Sequence, residues 1–409
     1  MVPMTEKLFD TDPYGRAFDA VVLSAERTDK GLEIILDRTL FFPEEGGQLP
    51  DRGMLNGFPV EDVQIKEDVI THLVRYEGEC IPEGREEIPA QFVPGSRVTG
   101  EIDWKFRFSN MQNHTGEHIF SGLVHRHFGY DNVGFHLGEH LVTMDYSGQL
   151  GEDDLRMIER EANEAVWRNI PVNCAYPDRV ELAAMEYRSK KELTGAIRIV
   201  TIEGIDVCAC CAPHVHRTGE IGLIKVLRSE SLRGGTRVTI LCGDRAYEAM
   251  QELYRNAQDA GRRMKLPAEE IVSGVARLLE EADGLRAEKF SLENRIAGLL
   301  FESVPGDAED VFLFTEEMDP LAQRNLVNDL ADAHPGYACV FCGREEKRFI
   351  AASRNRDSRR VSGLLREKLG ARGGGKPEMV QGSVTAKEEE IRAVLGLLSS
   401  GEQERMPEA

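Results

Sequence analysis

The chain has 409 residues, enough for two or three domains with separate cores, and its 41% apolar and 30% charged residues are those of an ordinary globular protein. A formal charge of -21 argues against a nonspecific nucleic-acid binder, because phosphate affinity comes from basic surface. No apolar run nears the roughly 18 residues of a membrane span, the opening MVPMTEKLFDTDPYG lacks a signal-peptide pattern, and eight cysteines are too sparse for a disulfide scaffold. A cytoplasmic protein with no membrane partner is expected.

From about Phe18 to Asp103 short alternating runs (DAVVLSAER, GLEIILD, TLFFP, FPVEDVQI, VITHLVR, SRVTGEIDW) separated by turn residues predict a small antiparallel β-barrel or sandwich, residues 1–104. Within it lies FFPEEGGQLPDRG, whose Gly46-Gly47 frees the backbone for close approach or positive φ and is followed by Gln48.

Residues 105–245 mix helices and strands. HTGEHIFSGLVHRHFG reads as a helix with Phe120, Leu123 and Val124 on its apolar face and an end near Gly129. DDLRMIEREANEAVWRN reads as a second helix, capped by Asp153 or Asp154 and burying Leu155, Ile158, Ala162 and Val166. Strands are expected at AIRIVTIEG, GLIKVLRSE and TRVTILCG, so the overall class is α+β.

Residues 246–302 read as helical. Ile271, Val275, Leu278, Ala282, Leu285, Leu292, Ile296 and Leu299 form a short heptad seam behind Pro267, open to a homodimer or to an antiparallel hairpin within one chain. Residues 303–409 alternate strands and helices as a small α/β domain. Its CxxC, Cys339 and Cys342, lies in an apolar run and reads as core. From Arg344 to Lys376 there are 11 Lys/Arg against 4 Asp/Glu, a local balance of +7, so a polyanion would meet the chain here, on a face from Arg354 to Arg372 that includes Arg359 and Arg360. ARGGGKPEMVQG reads as a flexible Gly run, either a plain loop or a phosphate cradle beside Arg372 and Lys376.

Chemistry concentrates at two stretches. His114 and His118 stand four apart in a helical segment, which stacks both imidazoles on one face. Cys210 and His214 repeat the offset in CCAPHVH, and five of the chain's eighteen His and Cys residues fall between Cys208 and His216. Two imidazoles, a thiolate and a third imidazole suit Zn2+. Four side chains would close a structural site, yet ligands from a helix and a distant loop assemble a cleft, where Zn2+ would activate water or polarise an ester carbonyl. A rival is the HxxEH metallopeptidase pattern with Glu117 as base, which leaves CCAPHVH unexplained.

NHTGEH, CCAPHVHRTGEIG and FFPEEGGQLPDRG together resemble the editing domain of alanyl-tRNA synthetase and the free-standing alanyl-tRNA editing proteins, and ARGGGKPEMVQG resembles the end of a DHH-associated domain. The resemblance implies a zinc-dependent aminoacyl-tRNA hydrolase acting in trans on tRNA(Ala) mischarged with serine or glycine. It implies His114, His118, Cys210 and His214 as zinc ligands, with His114, His118 and Gln48 in catalysis. Gly46, Gly47 and Gln48 would line the substrate pocket, Thr39 would bond the serine hydroxyl, and Arg354, Arg359, Arg360, Arg372 and Lys376 would contact tRNA. Cys211-Ala212-Pro213 stands where Gly-Gly-Thr is common in that family, which leaves Cys208 and Cys211 as competing thiolates. A noncatalytic tRNA-binding module with a structural zinc is the remaining alternative.

Overall fold

The computed structural model describes residues 4–76, 88–189 and 196–400. The chain divides into two compact units, Met1–Ala257 and Gln258–Ala409. In the first, strands β1 (Ala17–Thr28), β2 (Gly31–Leu36), β3 (Gly53–Leu55), β4 (Phe58–Lys66), β5 (Val69–Val74) and β6 (Arg97–Ile102) close a barrel in the order β1-β2-β5-β4-β3-β6. Every neighbouring pair is antiparallel. Alternation sends Leu32, Ile34 and Leu36, then Ile70 and Val74, to the interior. TLFFP departs from expectation: Arg38–Thr39 is the extended part, and Leu40, Phe41 and Phe42 are all buried in succession. A run buried on every side cannot alternate, so its hydrophobicity imitates a strand.

Helix α1 (Trp104–Phe128) follows the barrel directly. Asp103 caps it by accepting from the Phe106 amide at 3.1 Å, and Gly129, at φ +68°, ends it in the left-handed conformation. It is longer than the sequence suggested and is buried without a break from Ser109 to Val124, as a helix at the centre of a domain must be. Around it stand β7 (Asn132–Leu137), β8 (Val142–Tyr146), α2 (Glu152–Trp167), β9 (Val172–Ala175), β10 (Ile199–Ile202), β11 (Asp206–Ala209), β12 (Ile224–Leu232) and β13 (Gly235–Cys242). Their sheets are β12-β13-β8-β7 and β9-β10-β11, both antiparallel. The strands flanking the Cys/His segment therefore belong to different sheets. Gly151, rather than Asp153 or Asp154, is the cap of α2, and Asp154 accepts from its amide at 2.8 Å. Leu155, Ile158, Ala162 and Val166 are buried as expected.

Helix α3 (Gly243–Met264) leads to α4 (Ile271–Glu302). The heptad seam of α4 is exposed rather than packed: Leu285 and Leu299 are 59% and 67% accessible. The second unit continues with β14 (Val311–Thr315), α5 (Pro320–Ala333), β15 (Ala338–Cys342), β16 (Glu346–Ala352), α6 (Arg359–Leu369), β17 (Arg372–Lys376), β18 (Met379–Thr385) and α7 (Glu388–Ser400). Its sheet runs β14-β15-β16-β18-β17, parallel between β14 and β15 and antiparallel elsewhere. Cys339 and Cys342 enter apolar layers on opposite faces of this sheet, so the CxxC is core. The Gly run corrects the sequence reading. It is the edge strand β17, not a loop, and a Cβ on Gly373 would lie 2.3 Å from the Gln381 carbonyl oxygen of β18. Extended backbone paired to a neighbour does not form a phosphate cradle.

Candidate metal centre

Helical spacing puts Arg107, His114 and His118 on one side of α1. Gly116, between the two histidines, lets β13 approach: a Cβ there would meet Cys242 Sγ at 2.3 Å. From the other direction the β10–β11 hairpin delivers the Cys210–His214 loop. Arg198 holds that loop by donating to the Cys210 and Ala212 carbonyls at 3.1 and 2.8 Å. The result brings His114, His118, Cys210 and His214 together with one potential ligand atom each, all within 4.8 Å of one another. Cys210 Sγ lies 3.5 Å from His114 Nε2 and 3.4 Å from His214 Nε2.

The outward nitrogen of each imidazole is fixed. His114 Nδ1 donates to Gln48 Oε1 at 2.7 Å, and His118 Nδ1 donates to Asp206 Oδ2 at 2.9 Å. Thr115 Oγ1 gives its proton to the Met111 carbonyl at 2.7 Å, so toward His214 Nδ1, 3.0 Å away, it can only accept. All three Nε2 lone pairs are thereby left facing the thiol, and such outer partners orient metal ligands. Asp206 is itself gripped by Arg188 through contacts of 2.7 and 2.9 Å. His118, Asp206 and Cys208 form a second cluster with metal-ligand chemistry, but the Arg188 cation already neutralises its carboxylate.

Electrostatics separates the three candidate thiols. Burial alone pushes Cys210 up, but His114 and His214 outweigh it and hold this thiol well below the usual range. Burial raises both Cys208 and Cys211 instead. Of the three thiols, Cys210 is therefore the one whose surroundings favour the thiolate. Burial pushes His214 down to about 3, while His118, opposed by burial, is raised to about 9 by its bonds to Asp206 and Cys210. Three neutral-capable imidazoles around one thiolate are the donor set of a closed or five-coordinate N/S site, and they fit a divalent ion of the zinc type.

The Gly-Gly-Gln loop forms the rim. Gly46 and Gly47 take φ of +64° and +83°, and a Cβ on Gly47 would lie 2.6 Å from the Phe135 carbonyl oxygen. Leu137 donates to the Gly47 carbonyl at 2.8 Å, tying the loop to β7. Gln48 is buried; its oxygen serves His114, and its Nε2 has no hydrogen-bond partner among the described residues. The loop's other end is locked by Arg107, which contacts Asp51 and the Leu40 and Pro13 carbonyls, with both charged side chains wholly buried.

The remaining expected residues are not members of this four-residue cluster. Thr39 is buried within the barrel, where its hydroxyl lies 2.9 Å from His72 Nε2 and accepts from the Phe41 amide at 3.0 Å. His72 Nδ1 donates to the Ile34 carbonyl at 3.1 Å, so the Thr39 proton goes to Nε2. Glu117 is buried and accepts from Ser121 and Asn132, each at 2.6 Å, a poor setting for a peptidase base. In the second unit Arg354, Arg359, Arg360, Arg372 and Lys376 are exposed, with Arg354 paired to Asp332 and Arg359 to Asp357. Sequence reasoning missed Thr115, Asp206, Arg188, Arg198 and the Asp51–Arg107 pair. One signal was present: Arg107 stands seven residues before His114, on the same helical side.

A barrel joined to an α+β body gathers His/His/Cys/His from two distant segments into an N/S cluster that could hold a metal ion. Residues 197–238, which contain Cys210 and His214, match the threonyl and alanyl tRNA synthetase second additional domain. The alanyl-tRNA editing protein AlaX-L of Pyrococcus horikoshii is 29% identical over 405 residues, covering 95% of this chain and 96% of that protein. Alanine–tRNA ligases of Methanothrix thermoacetophila and Pyrococcus abyssi are each 30% identical, covering 92% and 97% of this chain. The chain spans only 42% and 44% of those ligases. It resembles an alanyl-tRNA editing protein along nearly its whole length, and the ligases over less than half of theirs.

Proposed function

We propose that the protein is a trans-acting deacylase that hydrolyses the ester of Ser-tRNA(Ala), and of Gly-tRNA(Ala), at a zinc site formed by His114, His118, Cys210 and His214. The reading is carried by one observation: three imidazoles with outward nitrogens fixed surround a low-pKa thiol, beside a buried amide nitrogen with no partner. When bound, zinc supplies Lewis-acid chemistry for an ester carbonyl or for water. Gln48 acts twice in this scheme. Its oxygen fixes the His114 tautomer, and its Nε2 donates to the oxygen on which charge develops as water adds to the carbonyl carbon. The ester C–O bond then breaks, and the ribose oxygen leaves with a proton. Gly46, Gly47 and Gln48 line the pocket that receives the aminoacyl-adenosine. Thr39, its proton given to His72, would serve the serine hydroxyl as acceptor. The second unit is assigned as a DHH-associated domain whose Arg354, Arg359, Arg360, Arg372 and Lys376 hold tRNA, and the enzyme works in the cytoplasm.

The division of labour has a physical motive. An apolar alanine pocket rejects an added hydroxyl only about a hundredfold, whereas a site built to bond that hydroxyl discriminates by about 10^4 to 10^5. The test is deacylation of Ser-, Gly- and Ala-tRNA(Ala) with and without chelator. Hydrolysis of the first two, lost on chelation and restored by zinc, is expected, with Ala-tRNA(Ala) spared. Intact Ser-tRNA(Ala) beside stoichiometric zinc would sink the enzyme reading and leave a tRNA-binding module. If Glu117→Gln abolished activity while zinc stayed bound, the peptidase-type role for Glu117 would return.

A further inference from the structure

We infer that the surface beside the donor loop is a stacking platform for the unpaired nucleotides of an RNA 3′ end, a ligand assignment that rests on the deacylase reading. Two residues after His214 the chain surfaces at His216, which is exposed. Its imidazole lies on the Tyr14 ring at 4.0 Å and 24°. The His216 amide donates to Tyr14 Oη at 3.1 Å, and that hydroxyl donates to Glu220 Oε2 at 2.6 Å, so the stack is held by two hydrogen bonds. Tyr14 in turn packs on Trp104 at 5.4 Å and on Phe108 at 6.3 Å, and Trp104 and Phe108 lie 5.4 Å apart. The Arg16 guanidinium sits 4.5 Å from the centre of the Trp104 ring.

The ends of this row distinguish it from a core cluster. Tyr14, Trp104 and Phe108 are half-buried, whereas Arg16, His216 and the neighbouring Arg217 are exposed. Contiguous rings flanked by cations at both ends match the needs of single-stranded RNA: flat faces for bases and positive charge for phosphates. The position fits as well. Two residues span at most roughly 7 Å, about two stacked-base intervals, so His216 is within reach of the bases that precede a strand end held at the His/Cys cluster.

The chain has two tryptophans, Trp104 and Trp167, so Trp167→Phe leaves Trp104 as the fluorescent reporter. Full-length protein, zinc-loaded or chelated, is titrated with single-stranded 5′-ACCA RNA and with duplex RNA of the same length. The single strand should quench Trp104 and the duplex should not. His216→Ala should weaken the quenching titration roughly five- to hundredfold, the range for losing one base–aromatic stack, with zinc content and melting temperature as structural controls. If that variant lost zinc, Arg16→Gln, outside the donor loop, would give the same comparison. No quenching, equal quenching by duplex, or unchanged affinity in an intact variant overturns the platform. Deacylation without quenching removes the platform alone, whereas quenching without deacylation removes the enzyme reading and leaves the platform standing.

Discussion

At Thr115 a single hydroxyl proton decides the chemistry of a neighbour: given to Met111, it obliges His214 to donate through Nδ1 and to offer Nε2 to the metal cluster. Thr39 plays the opposite part at His72, donating to Nε2 while the Ile34 carbonyl takes the Nδ1 proton, which fixes a neutral imidazole inside the barrel. Burial pushes His72 down to about 4, despite the bond to Ile34. The unfolded chain binds this proton near pH 6.5 and the folded chain does not, so stability falls with pH between about 6.5 and 4 and levels off below. The loss from this group is about 3 kcal/mol. Both tryptophans lie in the first unit, so urea unfolding followed by their fluorescence should show the slope, and His72→Gln should flatten it. A slope indifferent to that substitution would contradict the assignment.

Among the elements, α1 carries the most responsibility, since one helix holds two metal-cluster ligands, the Thr115 prop and the Arg107 clamp. Replacing Arg107 by Ala leaves Asp51 charged, buried and without its guanidinium, and should cost about 3–5 kcal/mol. Denaturant unfolding read by tryptophan fluorescence measures that cost, and a loss below about 1 kcal/mol would mean that water replaces the guanidinium. The histidines of α1 were legible because helical spacing leaves a trace in sequence, and the barrel was legible because its strands alternate. Asp51–Arg107 and Arg188–Asp206 left little or none, being pairs between residues far apart with no common period. TLFFP and the Gly run were misread for opposite reasons. The first has too many apolar side chains to alternate, and β17 has too few side chains to read at all.

For the molecule as a whole, net charge conceals its own distribution. Within a chain of -21, the stretch from Arg344 to Lys376 is locally cationic, and Arg359 and Arg360 open α6 in exposed positions. Reversing both charges, Arg359→Glu with Arg360→Glu, should weaken tRNA binding and reduce the slope of log affinity against log salt by about 1.4–1.8 units, since each lost phosphate contact removes roughly 0.7–0.9. Filter binding at several salt concentrations decides this, and an unaltered slope would exclude the face as a phosphate contact.

His118 and Cys210 stand 92 positions apart. At the ribosome, adding about 5–20 residues per second, roughly 5–20 s separate the first pair of chelating side chains from the second. Throughout that interval the nascent polypeptide carries two of the four candidate ligands, without the thiol. Under the proposed zinc site, a complete donor set forms only once the hairpin behind Arg198 has emerged and brought Cys210 and His214 to the two histidines.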